Sequence, residues 1–328
     1  MILRSVGDMA YRLALVLAGG GVRCMAHAGV FIELERAGIV PDLIVGSSLG
    51  SVMGGVYAYK PEAEFLRQFA LRFSDNHIVR AMERSFAHHP GMLARIGRCG
   101  VYSLGLAYIS WQYGILSSAF LKRAFNNIVG KRMLRDRNFL IEDCRIPFAP
   151  LAVDIASARA VILRSGDIPD AMYASSAVPG VCKPHRLGGM RLMDGGLASL
   201  VPVLAAHLLG AERIIAVDTD SKVRGRYDNV VQMIEQASAV RGYRWNMMET
   251  AQADLLIEPR VKQFYWWQFS RAEDCIASGQ DAARDSLDAV RSLIARVPDE
   301  RKQATRSFLA GYYPHVIIDT CHERIRHE

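Results

Sequence analysis

The segment Gly46-Ser47-Ser48-Leu49-Gly50 has the residue types and spacing of a nucleophilic serine in a sharp turn. It follows a short apolar run and precedes small residues, the pattern of a buried strand, a tight turn and a closely packed helix. Glycines two positions before and after the serine avoid collisions with the neighbouring strand and helix. The pattern predicts that Ser48 is strained, with its hydroxyl exposed at a helix N-terminus that favours negative charge. A small-residue turn without chemistry would show the same pattern.

A serine hydroxyl is a weak nucleophile until a base takes its proton, and the sequence offers two candidate bases. His185 lies in a predicted loop. Asp194 ends a short predicted strand, and Gly195 and Gly196 after it would let its carboxylate project into a crowded site. The pKa of a free aspartic acid is about 3.9, so an apolar pocket must raise the pKa of Asp194 before it can serve as a base. An ordinary turn would use Asp-Gly-Gly equally well.

Three glycines, Gly19, Gly20 and Gly21, directly follow a predicted strand over residues 12–18. Their backbone N–H groups would stand at a helix N-terminus, free to face a developing oxyanion. A dinucleotide-binding loop is the alternative, but its sixth position is Cys24 instead of glycine, and no acidic residue ends the following strand. No Gly-Lys-Ser/Thr follows either, so we expect no nucleotide cofactor.

The elements around these residues predict a βαβ unit. A strand over residues 12–18, a helix over about 24–37 closed by Gly38 and a second strand over 43–45 follow each other closely. Such strands are parallel and adjacent. The glycine loop and Ser48 would then meet at the carboxyl ends of neighbouring strands, where ligands of open α/β sheets bind.

Three further stretches carry predictions. From residue 60 to 100 the chain is polar, basic and irregular in pattern. Residues 101–121 contain no charge, and their glycines and serines favour core or lid helices over a membrane span. Ser270-x-x-Glu273 predicts a capping box that opens a long helix.

Composition limits the class of protein. The chain has 328 residues, 51% of them hydrophobic, which indicates a globular protein with a large core. Its net charge of +7 favours anionic partners such as phospholipid head groups, but the excess is diffuse and no nucleic-acid-binding signature is present. Six scattered cysteines indicate reduced thiols and a cytoplasmic protein.

An aromatic run, Phe264-Tyr265-Trp266-Trp267-Gln268-Phe269, could contact a lipid surface. Trp and Tyr suit a boundary that is apolar on one side and wet on the other. The sequence therefore suggests peripheral membrane contact through Trp266 and Trp267. A run that covers the core beneath a loop is the alternative.

Together these motifs resemble the bacterial patatin-like phospholipases. The connecting sequence agrees in family order over roughly residues 12–60 and 115–290. The matching blocks are Gly19-Gly20-Gly21-Val22-Arg23, Ala26-His27-Ala28-Gly29-Val30, Gly46-Ser47-Ser48-Leu49-Gly50, Leu163-Arg164-Ser165-Gly166-Asp167, Ala174-Ser175-Ser176-Ala177-Val178-Pro179-Gly180, Asp194-Gly195-Gly196 and Ile214-Ile215-Ala216-Val217-Asp218.

The resemblance implies a patatin-like α/β fold, with a central, mostly parallel sheet flanked by helices, and lipid acyl hydrolysis by a Ser–Asp dyad. Ser48 would be the nucleophile and Asp194 the base, with the backbone of Gly19, Gly20 and Gly21 as oxyanion hole. Arg23 and the glycines of the two motifs (Gly46, Gly50, Gly195 and Gly196) would support the site. No metal or cofactor is implied.

The resemblance also implies a domain plan. Residues 1–328 would form one domain, with its core at about 12–60 and 115–290, a helical insertion at about 75–113 and a peripheral tail at about 297–328. Cys24 stands where the family usually has glycine, which could alter the oxyanion hole. One alternative is therefore a non-catalytic lipid-binding or scaffold protein with an impaired oxyanion hole. A second alternative is an α/β-hydrolase-type esterase that uses His185.

Overall fold

The computed structural model describes residues 11–87, 139–179, 182–219, 240, 242–297, 308 and 317–319. In these residues the chain is an α/β protein built on one sheet. The strands are β1 (Ala14–Leu17), β2 (Leu43–Ser47), β3 (Phe148–Asp154), β4 (Arg159–Leu163), β5 (His185–Leu187), β6 (Met190–Asp194), β7 (Ile214–Val217), β8 (Leu255–Ile257) and β9 (Ile317–Asp319).

Helices follow most of the strands. They are α1 (Ala26–Arg36), α2 (Leu49–Tyr59), α3 (Ala63–Ser74), α4 (His77–Ala87), α5 (Ile168–Ser176), α6 (Val203–Leu208), α7 (242–250) and α8 (Ala272–Ala295). A short 3-10 helix, Gly21–Met25, leads into α1.

The sheet order is β5-β6-β3-β2-β1-β7-β8, with β4 beside β3 and β9 beside β4. The pairs β1–β2, β1–β7, β2–β3, β7–β8 and β4–β9 are parallel, whereas β3–β4, β3–β6 and β5–β6 are antiparallel. The mostly parallel sheet confirms the fold class. The parallel βαβ unit is also confirmed, since Leu17 pairs with Gly46 at the carboxyl ends of β1 and β2.

The central strands are buried on both faces, which explains their continuous apolar sequence. Leu15 and Leu17 join a core shared with α1, α2, α3 and α8, while Ala14 and Val16 join a second core shared with α6. Successive side chains of a strand point to opposite faces of the sheet, so helices cover both sides of β1.

The prediction of irregular structure after residue 60 is wrong as far as residue 87, because α3 and α4 occupy this stretch. In α3 the apolar residues Leu66, Phe69 and Phe73 recur at helical spacing and are buried, whereas Arg72 is exposed. The frequent basic side chains thus belong to the wet faces of helices. The charge-free stretch 101–121 lies outside the described residues, as does most of the predicted tail.

Two smaller predictions are corrected. Ser270 does not cap the long helix, because its hydroxyl donates to Glu83 of α4 and the helix begins after Arg271 without a side-chain cap. His185 lies on strand β5, hydrogen-bonded to β6, and not in a loop. Among the helices of the described ranges, none combines the length and the hydropathy that a membrane crossing requires.

Candidate active site

Ser48 occupies the sharp turn between β2 and α2 and has a backbone conformation that residues other than glycine rarely adopt. Its φ is 52° and its ψ is −134°, so the turn is strained. The flanking glycines are required by close approach: a Cβ on Gly46 would lie 2.6 Å from the Cα of Ser51, and one on Gly50 would collide with the carbonyl oxygen of Ala18. The N–H of Ser48 donates to the hydroxyl of Ser175 at 3.0 Å, which holds the turn in place.

Asp194 meets the serine side chain from the end of β6. The Oγ of Ser48 donates to Oδ2 of Asp194 at 2.6 Å, and the N–H of Gly196 donates to Oδ1 at 2.7 Å. The backbone N–H of Asp194 donates to the carbonyl of Ala177 at 3.1 Å. Both partners of the side-chain pair are buried, with 8% of Ser48 and 6% of Asp194 exposed.

Burial raises the pKa of Asp194 from 3.8 to about 6, although the hydrogen bonds from Ser48 and Gly196 act in the opposite direction. At neutral pH the carboxylate is therefore ionised but more basic than a solvated aspartate. A carboxylate of this basicity in direct contact with a hydroxyl can accept its proton.

The glycine loop lies directly against the serine. A Cβ on Gly19 would stand 2.9 Å from the Cβ of Ser48. Gly20 and Gly21 have φ values of 145° and 64°, which favour glycine. The N–H of Gly19 donates to the carbonyl of Leu200 at 2.9 Å, whereas the N–H groups of Gly20 and Gly21 have no partner within the described ranges.

Arg23 and Cys24 both turn back onto the loop. The Nε of Arg23 donates to the carbonyl of Gly20 at 3.0 Å. The thiol of Cys24 is fully buried and donates to the carbonyl of Ala18 at 3.3 Å. Burial raises the pKa of this thiol to about 12, so it stays neutral. A thiol at this position is therefore accommodated beside the loop.

The two histidines that lie nearest the site in sequence do not contact the serine hydroxyl, which is bonded to Asp194. The Nε2 of His27 bonds to the carbonyl of Ala18 at 2.8 Å, as expected for a hydrogen-bonded packing residue. The ring of His185 stacks edge-on against Tyr173 and lies 3.8 Å from a carboxylate oxygen of Asp170.

Sequence reasoning missed the contribution of α5 to the site. At the end of this helix, the hydroxyl of Ser175 accepts the backbone N–H of Ser48, and the carbonyl of Ala177 accepts the backbone N–H of Asp194. These residues belong to a small-residue run that resembles the family pattern, but nothing in their type indicates which distant N–H they would accept.

The aromatic run lies beside the glycine loop. The carbonyl of Trp266 accepts the N–H of Val22 at 2.8 Å, and a Cβ on Gly21 would collide with that carbonyl. Tyr265, which is 46% exposed, stacks on Trp267 with ring centroids 5.2 Å apart. Across the described residues no group of His, Cys, Asp or Glu side chains has an arrangement that could hold a metal ion.

Comparison with known proteins finds a matching family model and several similar proteins. The family model described as patatin-like phospholipase matches residues 15–207. An uncharacterized NTE family protein of Mycobacterium bovis is 30% identical over 223 residues, which are 68% of this chain and 53% of that protein. Patatin-like phospholipase domain-containing protein 6 of Mus musculus is 30% identical over 214 residues, which are 64% of this chain and 14% of that protein.

Among solved structures, VipD from Legionella pneumophila aligns over 93% of this chain and 74% of its own, with a TM-score of 0.43 and 12% identity. The family match extends over more than half of the chain and includes both Ser48 and Asp194. The chain belongs to the patatin-like phospholipase family, and it spans about half the length of the mycobacterial relative.

Proposed function

We propose that the chain is a lipid acyl hydrolase of the phospholipase A or esterase type that cleaves carboxylic esters through an acyl-serine intermediate. Ser48 is the nucleophile and Asp194 the base. The observation that carries the proposal is the 2.6 Å hydrogen bond between these two buried side chains. A direct bond of this kind leaves the hydroxyl no need of a histidine.

In the first step, Asp194 accepts the hydroxyl proton of Ser48 while the Oγ of Ser48 attacks the ester carbonyl. The oxyanion that forms is stabilised by the N–H groups of Gly20 and Gly21 and by the N-terminus of α2. Gly19 contributes packing and not a donor, since its N–H is occupied by Leu200. Asp194 then passes the proton to the leaving alcohol, and the acyl group stays on Ser48.

In the second step, water attacks the acyl-serine by the reverse route. Asp194 takes the proton of the water, the same N–H groups stabilise the oxyanion, and the proton returns to Ser48 as the carboxylic acid leaves. Loss of one oxyanion donor typically lowers the rate by about 10²–10³. The loop backbone is thus as important to this mechanism as the two side chains.

The lipid character of the substrate and a peripheral place on a cytoplasmic membrane surface are part of the proposal. The family relationship, the net charge of +7 and the aromatic run beside the glycine loop support them. Flotation with anionic liposomes should decrease when Trp266 and Trp267 are both replaced by alanine. Unchanged flotation would remove these two residues from the proposal.

The test of the chemistry is covalent labelling. A fluorophosphonate probe should label the wild-type protein at Ser48, and Ser48→Ala should lose both the label and the turnover of a short-chain nitrophenyl ester. A folded wild-type protein that takes no label and turns over no ester would instead favour the non-catalytic lipid-binding alternative.

The esterase alternative with a catalytic histidine is separated by a matched pair of variants. His185→Ala should retain ester turnover, because its ring lies against Tyr173 and Asp170. Asp194→Asn should lose it. The reverse result would assign the role of base to His185.

A further inference from the structure

Three consecutive carbonyl groups, those of Ala18 and of Gly19 and Gly20 in the glycine loop (called the oxyanion loop below), each accept a hydrogen bond from a side chain. The carbonyl of Gly20 is held by Arg23, as described above. The carbonyl of Gly19 accepts from the hydroxyl of Thr219 at 3.0 Å. The carbonyl of Ala18 bonds to the Nε2 of His27 at 2.8 Å and accepts from the thiol of Cys24 at 3.3 Å.

These bonds determine where the loop N–H groups point. A peptide unit is planar, and in the trans form its C=O and N–H point in opposite directions. No peptide bond in the described residues is cis. A bond that draws the carbonyl of Gly19 toward Thr219 therefore turns the N–H of Gly20 the other way. Glycine-rich backbone rotates at little steric cost, so such a loop depends on anchors of this kind.

The first two of the three peptide units differ in how they are anchored. The unit joining Ala18 and Gly19 is held at its carbonyl by His27 and at its N–H by Leu200. The unit joining Gly19 and Gly20 is held at its carbonyl by Thr219, while its N–H has no partner within the described ranges. Thr219 is thus the contact that orients an N–H group left available for the oxyanion.

His27 is suited to its place in this arrangement. Its side chain is fully buried, and burial lowers its pKa to about 4, so the ring is neutral at physiological pH. A neutral ring has one N–H, and the bond to the carbonyl of Ala18 requires that N–H on Nε2. Its other nitrogen, Nδ1, has no hydrogen-bond partner in the part of the chain that is described. A residue that served packing alone would be better apolar.

We propose that Thr219 and His27 are positioning residues of the oxyanion loop, which hold the carbonyls of Gly19 and Ala18 so that the N–H of Gly20 faces the substrate carbonyl. The inference rests on the proposed function of Ser48. Cys24 belongs to the same arrangement, since its sulfur lies 3.9 Å from the Thr219 hydroxyl and its thiol donates to the carbonyl that His27 also holds. Neither Thr219 nor His27 touches the reacting atoms.

The test compares two substitutions at Thr219 with nitrophenyl ester as substrate. Thr219→Val keeps the shape and removes the hydroxyl, whereas Thr219→Ser keeps the hydroxyl. Thr219→Val should lower kcat about ten- to hundredfold with KM unchanged, because a misdirected oxyanion donor weakens only transition-state binding. Thr219→Ser should retain most of kcat. The two variants should unfold at similar temperatures, so that lost stability does not account for the difference.

A second pair tests His27 independently. His27→Gln places an amide N–H near the position of Nε2 and should restore most of the kcat that His27→Leu loses. Full activity in both Thr219→Val and His27→Leu, with Ser48→Ala inactive, would overturn the positioning role and leave the proposed function intact. Absence of any Ser48-dependent turnover in the wild-type protein would overturn both.

Discussion

Asp154 and Asp194 are two aspartates that end neighbouring strands and differ in chemistry. They close β3 and β6, which pair with each other, and both have little exposed surface, 5% and 6%, although Asp194 lies deep among protein atoms and Asp154 lies close to the protein surface. Nevertheless the pKa of Asp154 is lowered, while the pKa of Asp194 is raised to about 6. A small exposed surface alone therefore does not decide how basic a carboxylate is.

The difference has two causes: Asp194 lies deeper in the protein, and Asp154 accepts more hydrogen bonds. Burial raises the pKa of both groups. Asp154 accepts from the Ser157 hydroxyl at 2.6 Å and from the N–H groups of Arg191, Ser157 and Ala156, and these bonds outweigh burial. Asp194 accepts one backbone N–H and the hydroxyl of Ser48.

A carboxylate with every lone pair occupied is a structural element, because its charge is already stabilised. A carboxylate left with few donors stays basic, and in Asp194 one of those few donors is the hydroxyl that the proposed reaction deprotonates. The carboxylate of Asp194 is therefore more basic, and its ionised form costs stability.

The largest effect expected from this comparison is on catalysis. Asp194→Asn should lower kcat for a nitrophenyl ester by about 10²–10⁴, the usual contribution of a general base. Asp154→Asn, measured on folded protein at low temperature, should keep kcat close to the wild-type value. Equal losses in the two variants would mean that the carboxylates matter to the fold and not to the chemistry.

Stability should change in opposite directions in the same two variants. The native protein holds the proton of Asp194 to a higher pH than the unfolded chain, so wild-type stability falls as pH rises from about 4 to above 6. At pH 8 Asp194→Asn should raise the free energy of unfolding by on the order of 2–3 kcal/mol. Asp154→Asn should lower it, because its depressed pKa contributes stability above the unfolded value.

Urea denaturation at pH 4 and pH 8 would measure both changes. The gain in Asp194→Asn should disappear at pH 4, where the carboxyl is protonated in the native wild-type protein. A gain of the same size at both pH values would show that the charge of Asp194 is not its source.

Local patterns in the sequence were sufficient to predict the strands, turn and helix that position Ser48 and Asp194. Glycines on either side of Ser48 and the apolar runs before it reflect contacts within a few residues, and the structure has the predicted strand, turn and helix. The meeting of Ser48 with Asp194 depends on the pairing of β3 with both β2 and β6, and spacing alone left it open.

Contacts between distant segments were beyond prediction. Ser270 matches a capping box, yet its hydroxyl binds Glu83, far away in the chain. Thr219 and Ser175 are ordinary polar residues in sequence, and only the fold brings them to the loop and the turn. The helix α3, in contrast, could have been predicted from local sequence. Its apolar residues recur at helical spacing, but the basic residues around them led to a prediction of irregular structure.

The pH dependence of turnover distinguishes Asp194 from a third buried carboxyl. Burial also raises the pKa of Glu249, to about 7. The backbone N–H of Leu204 donates to this carboxylate and acts in the opposite direction. If Asp194 is the base, kcat/KM should rise about tenfold per pH unit below 6 and level off above it, since the base must be unprotonated.

Glu249→Gln supplies the control for this profile, because among the described residues Glu249 is the other carboxyl that would titrate in the same range. The variant should keep the inflection near pH 6. Loss of the inflection in Glu249→Gln would instead mean that protonation of Glu249 controls turnover, through the segment it holds at the start of α6. A raised pKa would then be a poor guide to the base, and the direct bond to Ser48 would remain the only distinction between the two carboxyls.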